Sequence, residues 1–521
     1  MVRMAPLRVC VIGGGPAGLF AARLLATDHP DWDIRLCERL PPDDTFGFGV
    51  GLTGGLLGAL KAADREVHDA ITAAAFPFSG AGFQLPHGSV RLGRFHAGAI
   101  SRAKLLQLLV DFAGDAGVTV EIGRSWEVDE IRANADLIIA ADGVSSLTRK
   151  ALHGRLGVTE ALGRGRFIWC GSDTALEGTI FRPVKTDDGL FVAHAYPYAD
   201  GKSTFVIETD VESLRRAGCE QTDFADDGAS DDAALAYLSG AFSDLLDGGR
   251  FVGNKSRWMQ FRTVRCERWS DGNVVLLGDA KATAHPSMGS GTKLALEDAI
   301  ALAHTLRDIG GSAPASHLAA FEVARRPGVE RIQVRAQRSQ LWWESFGERL
   351  DLSPARVAVA YLSRAGAVSL EDLVATAPEL VTQAVAEWAD VEPAEVPTQD
   401  LAAWVLAQPI AEPGPWNGSR MLPPDPSRGE AALTVLSGDP WGGEAESLVT
   451  QARALERGGA ALVQLAGDPS RDGLLDRLAV GERLRKELDV PVAVISEHDQ
   501  LADVADGIVA GRADLAIVNP N

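Results

Sequence analysis

An α/β fold is predicted by three observations. A glycine-rich turn joins a short apolar strand to a helix at the start of the chain, two further apolar runs ending in Asp beside Gly recur far downstream, and strand-like runs fill the stretch between them. Val9 to Ile12 supplies the first strand, Gly13-Gly14-Gly15 the turn and Leu19 to Leu25 the helix, because a Val- and Ile-containing run gives way to helical patterning across glycines. Asp33 to Glu38 is the next strand and completes a βαβ unit. Leu137 to Asp142 and Asn273 to Asp279 read as strands of the same layer, so one nucleotide-binding domain is assembled from distant segments. Within Phe167 to Glu208, the runs Leu190 to Tyr196 and Ser203 to Glu208 meet through Asp200-Gly201-Lys202, a β-hairpin signal. Residues 165–270 are therefore expected to form an antiparallel substrate region, with a cavity at its junction with the nucleotide domain. Helices follow from Lys293 to about Thr376. Eight prolines from Pro393 to Pro426 mark residues 391–427 as an extended linker. Residues 428–521 alternate strands at Leu433 to Leu436, Ala461 to Leu465, Val490 to Ile495 and Leu515 to Val518 with helical patterns. The fold class is α/β: a Rossmann-like domain over residues 1–390 with an inserted antiparallel β-sheet, then a short C-terminal tail of βα units.

The composition narrows the function. The 521 residues carry 50 Lys+Arg against 71 Asp+Glu, a formal net charge of −21, which disfavours nucleic acid and anionic membranes as partners and favours a small-molecule task. At 46% hydrophobic and 23% charged the chain has a globular composition. Cys10, Cys37, Cys170, Cys219 and Cys266 are scattered without a C-x-x-C pair, so no cysteine-built metal site is expected and a reducing, cytoplasmic location is. The apolar run from Arg3 to Ile12 breaks too soon for a signal peptide, and no run of about 18 apolar residues could span a membrane.

Gly13-x-Gly15-x-x-Gly18 lies between strand and helix, and Glu38 closes the next strand. Two glycines let backbone N–H groups approach a pyrophosphate at the helix N-terminus, the third lets helix and strand pack closely, and the carboxylate takes the ribose hydroxyls. A second match, Gly49-x-Gly51-x-x-Gly54, lacks a preceding strand and reads as a loop. After Asp279, the segment Ala280 to Ala299 is a glycine-rich loop opening a helix, whose N-terminal N–H groups are preorganised donors for developing negative charge.

These motifs, in this order, resemble the FAD-dependent aromatic hydroxylases of the para-hydroxybenzoate hydroxylase superfamily over about residues 8 to 390. Ser101-Arg102-x-x-Leu105 resembles the helix start whose Arg meets the flavin phosphate and ribityl region, Asp142-Gly143 the family's Asp-Gly motif, and Leu277-Gly278-Asp279-Ala280 its Gly-Asp motif. The segments Asp43 to Val50, Gly189 to Tyr198, Gly201 to Phe205, Asn254 to Phe261 and Ser287 to Ala299 are similar to the salicylyl-CoA 5-hydroxylase and 2-aminobenzoyl-CoA monooxygenase group. Two departures stand out. Where that group has Gly-Asp-Ala-Ala-His, this chain has Gly278-Asp279-Ala280-Lys281-Ala282, and Thr53-Gly54-Gly55 replaces an expected polar segment.

The resemblance implies a single-component, NAD(P)H-dependent monooxygenase that hydroxylates an electron-rich aromatic ring through a flavin C4a-hydroperoxide. An aryl-CoA thioester such as anthraniloyl- or salicylyl-CoA is the implied substrate, and a free aromatic or indole ring of secondary metabolism is the alternative. A flavin reductase or dehydrogenase without oxygen insertion would share every cofactor motif. The implied cofactor-binding set is Gly13, Gly15, Ala17, Gly18, Glu38, Arg39, Arg102, Asp142, Gly278, Asp279, Gly289, Gly291, Thr292 and Lys293. His285 and His194 are candidate proton-transfer or hydrogen-bonding groups, because imidazole titrates near neutrality. Phe48, Val50, Phe191, Tyr196, Phe205, Trp258, Phe261 and Pro286 are candidates for the substrate wall, with core packing the competing role for the aromatics. With no second dinucleotide motif, the nicotinamide is expected to bind transiently. Trp342-Trp343 reads as helix packing and Arg325-Arg326 as solvated surface.

Members of the resembled group carry a C-terminal Old Yellow Enzyme-like barrel, and Val490-Pro491-Val492 with Ala510 to Leu515 looks like the end of one. The tail, 428–521, falls far short of the ~250 residues of a closed (β/α)₈ barrel. No FMN is expected, and a structural or homodimerising role is. Gly511-Arg512 reads as a helix C-cap followed by a surface Arg.

Overall fold

The computed structural model describes residues 6–93, 96–220, 228–309, 314–410, 416, 418–423 and 432–519. They form two compact units, the first from residues 1–80 and 95–340, the second from 81–94 and 341–521.

In the first unit, β1 (Arg8–Ile12), α1 (Pro16–Asp28) and β2 (Asp33–Glu38) form the expected βαβ unit. They are joined by β3 (Thr119–Ile122), β4 (Leu137–Ala140), β9 (Ser270–Asp271) and β10 (Val274–Leu276) in a sheet of order β9-β10-β4-β1-β2-β3. Every pairing is parallel except β9 with β10. All four β4 residues, Leu137 to Ala140, are fully buried, as a central parallel strand covered on both faces requires. α1, α2 (Arg102–Asp115) and α3 (Gly291–Leu306) share this core through Leu19, Leu105 and Leu296.

The second sheet of this unit is antiparallel. It contains β5 (Arg166–Ser172), β6 (Thr179–Thr186), β7 (Gly189–Ala199) and β8 (Lys202–Thr209), ordered β5-β8-β7-β6, with Phe251–Val252 beyond β5. Gly201 takes φ +64 in the tight turn joining β7 to β8. Because side chains alternate, Phe191, Ala193 and Ala195 of β7 and Phe205 and Ile207 of β8 enter a core on one face, with Leu214, Leu235 and Phe242 of the helical segments after β8. His194, Tyr196, Thr204 and Glu208 take the other face. Gly49–Leu52, read from sequence as a loop, is instead a strand antiparallel to His96–Ser101. Thr53 then caps a helix over Gly54–Ala63, its hydroxyl accepting from the Leu56 N–H at 3.3 Å.

The second unit combines helices with a parallel sheet. A hairpin of Ala81–Leu85 and Gly88–Arg91 carries Phe83, whose ring stacks on Phe346 with centroids 6.0 Å apart and meets Tyr361 edge-on. Trp342 and Trp343, which end α4 (Pro314–Glu344), are buried in the same cluster. α5 (Pro354–Ser363), α6 (Leu370–Thr376) and α7 (Pro378–Ala389) follow. The segment expected to be an extended linker contains α8 (Leu401–Ala407), with Leu401, Ala402, Val405 and Leu406 buried. Proline-flanked apolar residues at helical spacing explain the difference, since prolines bracket a short helix without entering it. The boundary expected near residue 390 likewise falls inside this unit.

The tail strands are β11 (Met421–Leu422), β12 (Leu433–Val435), β13 (Val463–Gly467), β14 (Val492–Ser496) and β15 (Leu515–Val518). The sheet order is β11-β15-β14-β13-β12, every neighbour is parallel, and β11 and β12 are the edges. Between its strands run α9 (Gly443–Arg457), α10 (Arg471–Glu487) and α11 (Leu501–Val509). Gly511 has the left-handed φ of +79 expected after a helix end, but Arg512 is buried and donates to the Ala360 carbonyl at 2.7 Å, so it is not a surface residue.

Candidate active site

The first βα turn is shaped by packing. Gly13 sits at φ +102, where a Cβ would lie 2.4 Å from the Ala141 carbonyl oxygen, and a Cβ on Gly18 would lie 2.1 Å from the Gly13 carbonyl oxygen. Gly15 differs, having nothing within 4 Å of such a Cβ, and as the residue before α1 it offers no side-chain cap. The helix start is therefore open to an anion. Glu38 holds the turn, its carboxylate accepting from the Gly14 N–H at 2.6 Å and the Leu40 N–H at 2.9 Å. A cleft opens here, lined among others by Gly14, Gly15, Glu38, Asp44, Thr45 and Arg102.

Arg102 begins α2; its N–H donates to the Phe48 carbonyl at 2.7 Å and its Nε to Thr45 Oγ1 at 3.0 Å. Burial lowers its pKa while Asp279 opposes that shift. Asp279 lies in the short turn Gly278–Ala280. Its side chain faces open space yet is ringed by protein; desolvation pushes its carboxyl up, and Arg102 and Lys281 pull it back. Gly278, at φ +56, comes against Ala17, so Ala17 acts through packing. Asp142 is half-buried. Its carboxylate is taken up by Ser146 Oγ at 2.5 Å and the Thr148 N–H at 3.0 Å. Arg39 is exposed.

A second open helix start lies at α3. Neither Gly289, at φ +58, nor Gly291 has anything within 4 Å of a would-be Cβ, and no side chain caps the helix. Ser290, just before it, is 4% exposed with no hydrogen-bond partner for Oγ. A buried hydroxyl without a partner beside uncapped N–H groups fits a polar ligand such as a flavin ring edge. Thr292 is half-buried, and Lys293 pairs with Glu297 at 2.5 Å. The residues present thus fit FAD at both helix starts. The roles of Ser290, Thr45, Lys281 and Asp298 escaped the sequence reading, although all four lie inside segments it had marked.

Among the proton-transfer candidates, His285 is buried with Nδ1 2.8 Å from Ser287 Oγ, which is 2.7 Å from Ser339 Oγ of α4. The Phe261 ring meets His285 edge-on at 4.9 Å, and Pro286 is exposed. His194 has Nε2 3.5 Å from Glu208 Oε1 and the Phe181 ring edge-on at 5.4 Å.

The substrate-wall candidates divide. Tyr196 donates to the Gly49 carbonyl at 3.0 Å, its phenol pushed up to about 12 by burial, and Phe48 lies against Gly171. Val50 is buried in the core shared with the parallel sheet. Phe191 and Phe205 are corrections: both are fully buried in the core on the opposite face of the sheet, because strand alternation sends them away from Tyr196 and Thr204. Trp258 packs against that same core with Nε1 unpartnered. Arg325 is likewise no surface residue, pairing at 2.8 Å with both Asp298 and Glu297.

Two open helix starts in one unit, the first bordering a cleft lined by Glu38 and Arg102, define a dinucleotide-binding domain. Residues 108–336 match the FAD binding domain family. The chain is 34% identical to salicyloyl-CoA 5-hydroxylase of Streptomyces sp, over 98% of this chain and 99% of that protein. It is 35% identical to 3-hydroxy-4-methyl-anthranilyl-[aryl-carrier protein] 5-monooxygenase of Streptosporangium sibiricum, over 70% of this chain and 97% of that protein. The crystal structure of 2-methyl-3-hydroxypyridine-5-carboxylic acid oxygenase shares the fold at a TM-score of 0.51, with 20% identity, 69% of this chain and 96% of that one covered. The chain belongs to the FAD-dependent aromatic monooxygenase family, with NAD(P)H as the co-substrate typical of it. The match to the Streptomyces relative spans nearly the whole chain, so the tail is common to both proteins. Among the described residues no helix is long and apolar enough to cross a membrane, and no metal-ligating cluster occurs.

Proposed function

We propose that this protein hydroxylates an electron-rich aromatic ring carried as a thioester of coenzyme A, in a reducing, cytoplasmic setting where its five cysteines stay free. The observation that carries this reading is the end-to-end relationship with a protein named for salicyloyl-CoA, supported by a second relative named for an anthranilyl group on an aryl-carrier protein. When bound, FAD supplies the redox chemistry: hydride from NAD(P)H and O₂ are consumed, one oxygen atom enters the ring and the other leaves as water.

Gly15, Glu38, Arg102 and Asp279 hold the dinucleotide, and the N–H groups at the start of α3, with Ser290 Oγ, donate to the negative end of the flavin ring system. Phe48, Val50 and Tyr196 wall the ring site and exclude water. His285, fixed by Ser287 and Ser339, holds a proton at Nδ1 or yields it to that hydroxyl pair. Asp142 and His194 keep local structural tasks. The tail is a remnant of an Old Yellow Enzyme-like βα array that serves structure or homodimerisation, a reading supported by its consecutive parallel strands.

The test supplies anthraniloyl-CoA, salicylyl-CoA and the free acids separately, with NAD(P)H and ¹⁸O₂. One ¹⁸O atom in the ring of a CoA ester is expected. Labelling of free acids alone would replace the thioester reading, and NAD(P)H consumption yielding only hydrogen peroxide with every substrate would leave a reductase.

A further inference from the structure

Lys281 stands where the resembled group has alanine, in the turn that carries Asp279, and the structure gives it an unusual place. Its side chain is 1% exposed, its Nζ lies 2.8 Å from Oδ2 of Asp298, itself 0% exposed, and the ammonium sits 4.0 Å from the Trp269 ring centroid. Asp298 is a hub. Its Oδ2 also accepts from the Gly278 N–H at 3.2 Å, and its Oδ1 accepts from Arg325 Nε at 2.8 Å. Asp298 belongs to α3, so one carboxylate ties the Asp279 turn to the helix whose start is uncapped. Arg149 steadies the same turn by donating to the Ala280 carbonyl at 2.9 Å.

Without Lys281 the ion pairs around it would balance. Lys281, Arg325 and Lys293 meet Asp298 and Glu297, while Arg102 and Asp279 offset each other. Removing Lys281 leaves two cations for two carboxylates; its presence adds one positive charge beside the flavin-binding turn. An ammonium this deeply buried survives only with a fixed partner, and a fixed cation inside a protein acts strongly on nearby charge because little water screens it.

We propose that Lys281 is a positioning residue for FAD: through Asp298 it locks the Asp279 turn onto α3, and its charge favours the reduced, anionic flavin. This rests on the assignment of FAD to the cleft. The inference goes beyond the family's motif, since the motif as resembled has no cation at this position.

The experiment compares wild type with K281A and K281M, K281A introducing the residue the resembled group has there. Apoprotein is titrated with FAD, and the midpoint potential of the bound flavin is measured by dye equilibration. FAD Kd should rise roughly tenfold or more, as expected when a buried charge network loses a member, and the potential of the flavin still bound should move to more negative values. In the K281M/D298N double variant the loss should be smaller than the sum of the single losses, because both act through one contact. A merely structural role would lower thermal stability and flavin content together and leave the potential of bound flavin unchanged, which overturns the proposal. Wild-type Kd and potential in K281M overturn it too, as does a K281A protein that cannot fold. Wild type that takes up no FAD would instead overturn the cofactor assignment.

Discussion

In the flavin-binding unit the buried charges back an exposed carboxylate: Lys281, Asp298 and Arg325 sit behind a turn whose Asp279 is exposed, beside helix starts that no side chain caps. In the second unit comparable charges close upon themselves. Arg349 donates to the Trp342 and Ser345 carbonyls, to Ser345 Oγ and, at 2.6 Å, to Glu482. Arg512 donates to Ala360, Asp506 accepts from the Leu370 N–H at 2.7 Å, and Arg471 pairs with both oxygens of Asp503. The difference separates a binding site from a staple. Charge that ends in open donors and an exposed carboxylate awaits a ligand, whereas charge satisfied by backbone carbonyls joins the helices around α5 and α6 to the tail's βα units.

The largest effect expected from this contrast is Glu482→Ala. It leaves Arg349 buried without its carboxylate and should cost about 3–5 kcal/mol. Denaturant melts should show the loss while flavin content at low temperature stays at the wild-type level; simultaneous loss of FAD would mean that the staple also serves the cofactor. Gly18→Ala comes next. Its Cβ would meet the Gly13 carbonyl oxygen, a backbone atom that cannot swing aside, so about 1–3 kcal/mol of stability and most of the flavin should go together. A variant with undiminished FAD would show that α1 can shift without cost to the site.

Asp506→Asn is expected to stabilise. Burial raises this carboxyl well above its usual value, so the native state retains a proton that the unfolded chain releases, and stability falls as pH rises from the ordinary carboxylate range toward the folded pKa. The penalty persists at all higher pH. Asparagine can still accept from Leu370 and escapes the penalty, so its melting temperature should exceed wild type by a few degrees at pH 7 and converge with it in acid. A lower melting temperature at pH 7 would mean that the charge itself is needed. The smallest change in stability belongs to Gly291→Ala, whose Cβ enters open space. Its melting temperature should match wild type while hydroxylation slows; unchanged hydroxylation would remove the start of α3 from the site.

The parts of the fold legible in the sequence were those in which packing dictates composition. Gly13 and Gly18 must be glycine because backbone approaches them, and the apolar runs of β4 and β15 are continuous because parallel strands inside a sheet are covered on both faces. What was hidden depended on distant partners. The pairing of Lys281 with Asp298 joins a turn to a helix interior, and the grouping of residues 81–94 with the second unit joins a hairpin to helices far along the chain. Phe191 and Phe205 were aromatic in the right strands, but strand phase decides the face, and phase is set by pairing. The helix Leu401–Ala407 was masked by the prolines on either side, which punctuate a helix as readily as they stiffen a linker.

Flavin analysis of denatured protein tests the contrast between the two units most directly. Wild type and the Asp279→Ala and Glu482→Ala variants would be purified gently, unfolded, and their released flavins identified and counted against protein. The account predicts one FAD per wild-type chain, its loss in Asp279→Ala with folding intact, its retention in Glu482→Ala, and no FMN in any of them. FMN released from wild type, or FAD retained in full by Asp279→Ala and lost from Glu482→Ala, would contradict it.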